Sequence, residues 1–388
     1  MRPVGVLTAA GELTLRRRYY WGERAGGCYP SDGHAGIAAS TVTAGARELC
    51  CVMGLAGDFR SAAANLKRVG GLGVCPERLR QLVEAEASRA TALRDAGAVP
   101  AAWSAQTEEL EKGRLYAGVD GLMVRTVTQA EKEKRRTAHA ARRRARGRRG
   151  VANLKPLPTP RLGTDQTFKE LKFALFYDQP KAHRHALATA GDAAALGRLL
   201  RLHAGQIGLD RAHQRLALTD GAAWIARQLE LNLPMLDARL LDFYHLAQHV
   251  HAAADACLGE GTPASAAWAQ ARLHEAKHAG AAALLAGIDA LARSVRRRSP
   301  AKRQALRRLR GYVAERLAML DYPAARRRGW DIGSGPTEAA AKTLAGRLKG
   351  VGMKWDLDHA ADLMNLKALY ESGQAPGYWA KAAQPCLN

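Results

Sequence analysis

Acidic side chains are scarce in this chain: 36 Asp and Glu stand against 59 Lys and Arg, a formal net charge of +23 over 388 residues. A surface with that imbalance repels other cations and gathers polyanions, so nucleic-acid phosphate is the expected partner. Cysteine is also sparse. The six, at positions 28, 50, 51, 75, 257 and 386, form no Cys-x-x-Cys pair, and a reducing cytoplasm is the default expectation. No apolar run reaches membrane-spanning length, so no membrane partner is expected. Met1 to Thr14 lacks the charged start, apolar core and cleavage site of a secretory signal. Against these absences, a 47% hydrophobic fraction is ample for a folded chain of two or three domains.

Three carboxylates stand in informative local contexts, in the order Asp, Asp, Glu. Asp120 lies within Arg114-Leu-Tyr-Ala-Gly-Val-Asp-Gly-Leu-Met-Val-Arg-Thr-Val127, whose short apolar run reads as a buried central strand. Asp220 closes the run Gln214-Arg-Leu-Ala-Leu-Thr219 and precedes a helix-like segment, which puts it at the C-terminal lip of a strand, where sites collect in open α/β sheets. Glu338 follows Gly333-Ser-Gly-Pro-Thr337. There Ser334 can cap a helix, Pro336 suits its first turn, and Ala339 to Leu348 continue it.

Each Asp-Gly pair taken alone is equally well explained as a turn. If the three carboxylates converge, they cannot all ionise cheaply without cations. Oxygen-only ligands favour Mg²⁺ or Mn²⁺. Two such ions about 4 Å apart would activate a water or a 3′-hydroxyl and stabilise the leaving oxygen of a phosphodiester.

The segment Gly333-Ser-Gly-Pro-Thr-Glu-Ala-Ala-Ala-Lys-Thr-Leu-Ala-Gly-Arg-Leu-Lys-Gly-Val-Gly-Met-Lys-Trp355 resembles the C-terminal signature of the ISKra family of insertion-sequence DDE transposases. Val119-Asp-Gly121, Thr219-Asp-Gly-Ala-Ala-Trp-Ile225, Leu241-Asp-Phe-Tyr-His245, Asn365-Leu-Lys-Ala-Leu-Tyr-Glu-Ser372 and Tyr378-Trp379 resemble further stretches of that family, so the likeness runs from about residue 40 onward. It implies an RNase H-like catalytic core, metal-dependent cleavage and transfer of DNA strands, and Asp120, Asp220 and Glu338 as both the catalytic triad and the ligands of two Mg²⁺ or Mn²⁺ ions. It also implies a role for Asp242 and His245 near the scissile phosphate; read without it, a helical Asp and His three residues apart are more often an ordinary hydrogen-bonded pair. Around Tyr19 to Pro30 the family commonly carries a small cysteine-based metal knuckle. Only Cys28 stands there, a departure that argues against zinc.

Candidate DNA contacts follow the basic residues. Lys132 to Arg136 and Arg142, Arg143, Arg144 through Arg149 read as a solvated loop beside Asp120 that grips backbone without reading sequence, continued by the proline-bearing stretch from Leu154 to Gly163. A second cluster, Arg296 to Arg298 with Lys302, Arg303, Arg307, Arg308 and Arg310, lies on a helical stretch that is either a phosphate track or a plain solvated face. Phe59 to Val69 and Pro76 to Ala90 have helical spacing around Gly70-Gly-Leu-Gly73. That suits a helix-turn-helix with Arg78, Arg80 and Gln81 facing DNA, or equally a plain helical hairpin. Lys342, Arg347 and Lys349 follow Glu338 as phosphate contacts, and Trp355 is a candidate for stacking on an unpaired base.

The remaining pattern predicts strands at Phe168 to Tyr177, His183 to Ala190 and Leu236 to Leu241, with helices over Asp192 to Gly205 and Asp242 to Ala256. The expected fold class is α/β: an N-terminal helical DNA-binding region over 1–110, an RNase H-like mixed-sheet core over 111–245 and 329–388, and an all-α insertion over 246–328. The expected activity is that of a DDE transposase, cytoplasmic and associated with a bacterial nucleoid, acting on double-stranded DNA as a homo-oligomer. Two alternatives stay open: a structure-specific nuclease on the same fold, and a non-catalytic DNA-binding remnant of a mobile element.

Overall fold

The computed structural model describes residues 1–23, 26–35, 37, 40–107, 112–147, 156–160, 165–295 and 299–383. Its centre is a five-stranded mixed sheet in the order β7-β6-β5-β8-β9, formed by β5 (Arg114–Arg125), β6 (Phe168–Asp178), β7 (Arg184–Thr189), β8 (Gln214–Thr219) and β9 (Ala238–Leu241). The first three make an antiparallel meander, and β8 and β9 then add parallel on the far side of β5.

Strand β5 is buried on both faces, and its alternation divides the protein. Tyr116, Leu122 and Val124 point into one core, while Leu115, Ala117 and Val119 point into the other. The second core is closed by two helices, α6 (Ala193–Ile207) and α7 (Ala223–Asn232), through Leu196, Leu200, Ile225 and Leu229. Asp192 caps the first of these by accepting the Ala195 N–H at 2.8 Å.

The first core is closed by α13 (Gly335–Gly346), α14 (Leu357–Glu371), α15 (Ala375–Ala383) and three N-terminal helices, α2 (Ala44–Ala56), α3 (Phe59–Gly70) and α4 (Pro76–Asp95). The N-terminal helices α2, α3 and α4 are therefore packed into the core that lies against the sheet. Leu79, Val83, Ala87 and Ala90 of α4 share one hydrophobic cluster with Leu218 of the sheet and Leu366 of α14. The first 28 residues also depart from a helical reading. Before the short α1 (Pro30–His34), β1 (Arg2–Thr8) pairs with β2 (Gly11–Arg17) and β3 (Tyr20–Gly22) with β4 (Gly26–Cys28). Val4, Val6, Leu13 and Leu15 alternate about a turn that Gly11 makes at φ 114°.

A third core is built mainly from helices, α8 (Phe243–Leu258), α9 (Pro263–His278), α10 (Ala281–Ser294), α11 (Pro300–Ala314) and α12 (Tyr322–Arg327). The arginine-rich stretch after β5 is not a loop. It forms α5 (Gln129–Ala145), capped by Thr128, whose hydroxyl accepts the Glu131 N–H, because Ala, Lys, Arg and Glu are all good helix formers. Arg148 and Arg149, residues 154–155 and 161–163 of the proline-bearing stretch, and Arg296 to Arg298 lie outside the described residues. Among the described residues no helix is long and apolar enough to cross a membrane.

Candidate active site

The ladder registers determine where the carboxylates fall. Val119 is paired with Thr219, and Thr219 with Leu241, in two parallel pairings. Asp120, Asp220 and Asp242 are each the next residue along. By the two-residue alternation of a strand, all three belong to the face that carries Tyr116, Leu218 and Leu240 into the first core. Neighbouring strands lie about 4.8 Å apart, so the three aspartates form a row across the ends of β8 and β9.

The two Asp-Gly pairs use glycine for different reasons. Asp120 lies inside β5, its Oδ1 accepting the Gly121 N–H at 2.7 Å. A Cβ on Gly121 would sit 2.2 Å from Oε1 of Glu170, which fills that space from β6. Asp220 ends its strand, with Oδ1 accepting the Ala222 N–H at 2.8 Å, and Gly221 then turns the chain at φ 75°. Burial raises the Asp120 carboxyl above its ordinary range, the negative charges of Asp220 and Glu170 add to the rise, and the Gly121 N–H and His245 oppose it. Asp220 is thus close enough for its charge to penalise ionisation of Asp120.

Asp242 serves another purpose. Its side chain is fully buried, with Oδ1 accepting the N–H groups of Tyr244 at 3.2 Å and Ser334 at 2.9 Å, and Oδ2 lying 3.3 Å from Nδ1 of His245. Burial alone would raise this carboxyl, but the bonds from His245, Ser334 and Tyr244 outweigh it and hold the group below its ordinary range. The bond to Asp242 raises His245 above its ordinary value against desolvation, helped by the charges of Asp242, Asp220 and Asp120. Asp242 is therefore a positioning residue: it caps α8, orients His245 and anchors the entry to α13. His249, one turn beyond His245, stacks on Tyr312 with ring centroids 3.8 Å apart.

Glu338 stands in the first turn of α13, half-exposed, with Pro336 in that turn as its sequence suggests. Ser334 is the N-cap residue, but its hydroxyl makes no cap bond; its backbone N–H is directed to Asp242. The adjoining Thr337 is buried against Gly118, where its Oγ1 lies 1.9 Å from the place a Cβ would take. Gly118 is two residues before Asp120 on the same face, so α13 brings Glu338 to the face bearing the two aspartates. The three do not close into a metal cage. Among the described residues no group of three or more His, Cys, Asp and Glu is arranged to hold a metal ion. Asp120 and Asp220 remain a fitting pair, since Mg²⁺ commonly binds through one or two carboxylates together with waters and substrate phosphate.

Three neighbours of the carboxylates were not read from the sequence. Glu170 is signalled only by the glycine it requires at 121. Tyr312, donating its hydroxyl to the Asp220 carbonyl at 3.2 Å, and Arg316, donating Nε to the Gly221 carbonyl at 3.1 Å, come from α11 and the residues just after it. Nothing in their local sequence marks them.

The expected DNA contacts divide. Arg78, Arg142, Arg143, Arg144, Lys342 and Lys349 are exposed. Arg80 is held by ion pairs to Glu77 at 2.7 Å and to Glu84 on its own helix. Arg347 is buried, not at the surface: Nε donates to the Gly54 carbonyl at 2.8 Å, and its guanidinium stacks over Phe59 and Trp355. Trp355 is likewise part of the core, donating its indole N–H to the Leu348 carbonyl at 3.1 Å. Both were drawn inward because a flat guanidinium and two aromatic rings form a desolvated stack, which leaves neither side chain available to DNA.

In class, then, this is an α/β protein with a five-stranded mixed sheet and a cluster of acids at the ends of its parallel strands. No protein-family model matches the sequence, and no significant match exists among curated proteins.

Proposed function

We propose that the chain is a DDE-type transposase with an RNase H-like core, which uses divalent metal to cleave and join DNA strands. The observation that carries this reading is the register of β5 and β8, which makes Asp120 and Asp220 neighbours on the face against which the Glu338 helix packs. A meander of three strands extended by two parallel strands on the other side of the first fits an RNase H-like sheet. The net charge of +23 suits a substrate that is itself a polyanion.

In this reading Asp120 and Asp220 would hold Mg²⁺ or Mn²⁺ together with substrate phosphate and water, and Glu338 stands on the adjoining helix as the third member of the triad. Such a metal, when bound, would supply charge stabilisation at the phosphodiester and would lower the pKa of the attacking hydroxyl. The chain's own residues provide placement. Tyr312 and Arg316 fix the turn carrying Asp220, while Asp242 fixes both His245 and the start of the Glu338 helix.

The test is Mg²⁺-dependent nicking of supercoiled DNA and joining of a 3′-end into a target duplex. Asp120→Asn is expected to abolish both while leaving DNA binding intact. Nicking without joining points to a structure-specific nuclease, and binding without either points to a non-catalytic remnant. Wild-type nicking rates in Asp120→Asn refute the assignment of the site.

A further inference from the structure

Helix α5 is anomalous as a piece of a folded protein. Of its 17 residues only Ala140 is buried, so it has almost no apolar face with which to pack. Its base is fixed. Lys132 pairs with Asp356, Lys354 lies 2.6 Å from Glu131, and the chain just before it is bridged to Trp355, where the Val127 N–H donates to the Trp355 carbonyl at 2.9 Å. Both acids of the helix, Glu131 and Glu133, lie near that base. From Lys134 to Arg146 there is no acid at all, and Lys134, Arg135, Arg142, Arg143, Arg144 and Arg146 are all exposed.

The distal half has a second property. Apart from its cations it contains only Thr137, His139 and alanines, so no bulky side chain keeps the backbone away from a partner. An α-helix is about 10–12 Å across, and the major groove of B-DNA is about 12 Å wide. A thin helix ringed with cations suits that space, with arginines reaching the phosphates on both walls.

The attachment point lies on the strand of the candidate site. Helix α5 leaves the sheet at the end of β5, the strand that carries Asp120, and at about 1.5 Å per residue it extends roughly 25 Å. At about 3.4 Å per base step that spans about seven base pairs of duplex, starting roughly 16 Å or more beyond Asp120 along the chain.

From these features we infer that α5 is a DNA-binding helix that lies in the major groove of the duplex flanking the scissile position, held as a helix rather than acting as a loose basic tether. The inference rests on the proposed action on DNA and adds to it the element, the groove and the mode of contact.

The experiment measures binding of the full chain to a fluorescent 30-base-pair duplex by anisotropy, without divalent metal, over a range of salt. Replacing Arg142, Arg143 and Arg144 together with Ala is expected to weaken binding and to lower the slope of log affinity against log salt by about 2–3, since each phosphate that is no longer neutralised reduces the slope by about 0.9. Ala138→Pro breaks the helix while keeping every charge, and it is expected to weaken binding at least tenfold at physiological salt. Circular dichroism and thermal unfolding of both variants verify that the cores, which α5 barely touches, are intact. An unchanged salt slope in the triple variant overturns the inference, and so does wild-type affinity in Ala138→Pro, which identifies a flexible tether instead. Either result with nicking preserved leaves the catalytic reading standing. Binding abolished in both variants of a chain that never nicks DNA upholds the groove helix and removes the enzyme.

Discussion

Replacing Asp242 tests whether one buried carboxylate links the α8 cap, the imidazole and the Glu338 helix. In Asp242→Ala, α8 loses its capping acceptor, which costs about 1 kcal/mol, and the buried Ser334 N–H is left without a partner, which costs about 1–3 kcal/mol more. The expected loss is about 2–4 kcal/mol, read from guanidinium unfolding followed by tryptophan fluorescence. Asp242→Asn keeps a carbonyl acceptor for the same N–H groups and removes only the charge facing His245, so about 1 kcal/mol is expected. The cost should vary with pH. The folded Asp242 carboxyl is lowered, so its contribution is present above its unfolded pKa of about 3.9 and is lost as pH falls through the lower folded value. His245 is raised, so its contribution is complete below about 6.5 and is lost as pH rises through the higher folded value. The difference between wild type and Asp242→Asn is therefore largest at about pH 5–6 and shrinks in alkali. A flat difference, or an Asp242→Ala chain within about 0.5 kcal/mol of wild type, would show that Asp242 does not link these elements.

Gly118→Ala places a methyl group against Thr337 and should force α13 off β5, costing about 1–3 kcal/mol and most of the nicking activity. Since the buried Thr337 hydroxyl has no partner, Thr337→Ala should be near neutral alone and should recover part of the stability and nicking lost in Gly118→Ala, the remaining Cβ still lying 2.9 Å from the added methyl. Arg316→Ala removes the bond to the Gly221 carbonyl and should lower kcat for nicking several-fold, with DNA affinity changed by less than twofold when corrected for one surface charge. Trp355→Ala should lose about 3–5 kcal/mol as a core deletion, measured by denaturation, without changing the salt dependence of DNA binding.

Much of the sheet was legible because strands buried on two faces are written as compact apolar runs. Phe168, Arg184 and Ala238 each begin strands within two residues of the expected starts, since the pattern depends on local alternation. What was illegible depended on distance. Arg347 and Trp355 carry the same residue chemistry whether they face DNA or Phe59, and only the approach of α3 to the α13–α14 turn decides between them. Charge density misled in a similar way. The basic run from Lys132 through Arg149 suggested a loop by its charge density, whereas helix propensity and pairing at its base favour an ordered helix over Gln129–Ala145.

The candidate site shows the same division between local and distant information. Asp120 and Asp220 could each be placed on a strand from neighbouring residues, but their proximity is a property of register. Sliding β8 by one residue would turn Asp220 to the opposite face, toward α6 and α7. Register is fixed here by burial on both sides, with Leu216 and Leu218 entering one core and Ala217 the other. Any substitution that weakens that alternation should therefore reduce metal-dependent activity before it unfolds the chain. Ala217→Asp is the sharpest case: it buries an unpaired carboxylate in the second core, and nicking is expected to disappear at temperatures where circular dichroism still reports folded helices. Nicking that persists until the helices themselves melt would show that the aspartate pair does not depend on the sheet's two-sided packing.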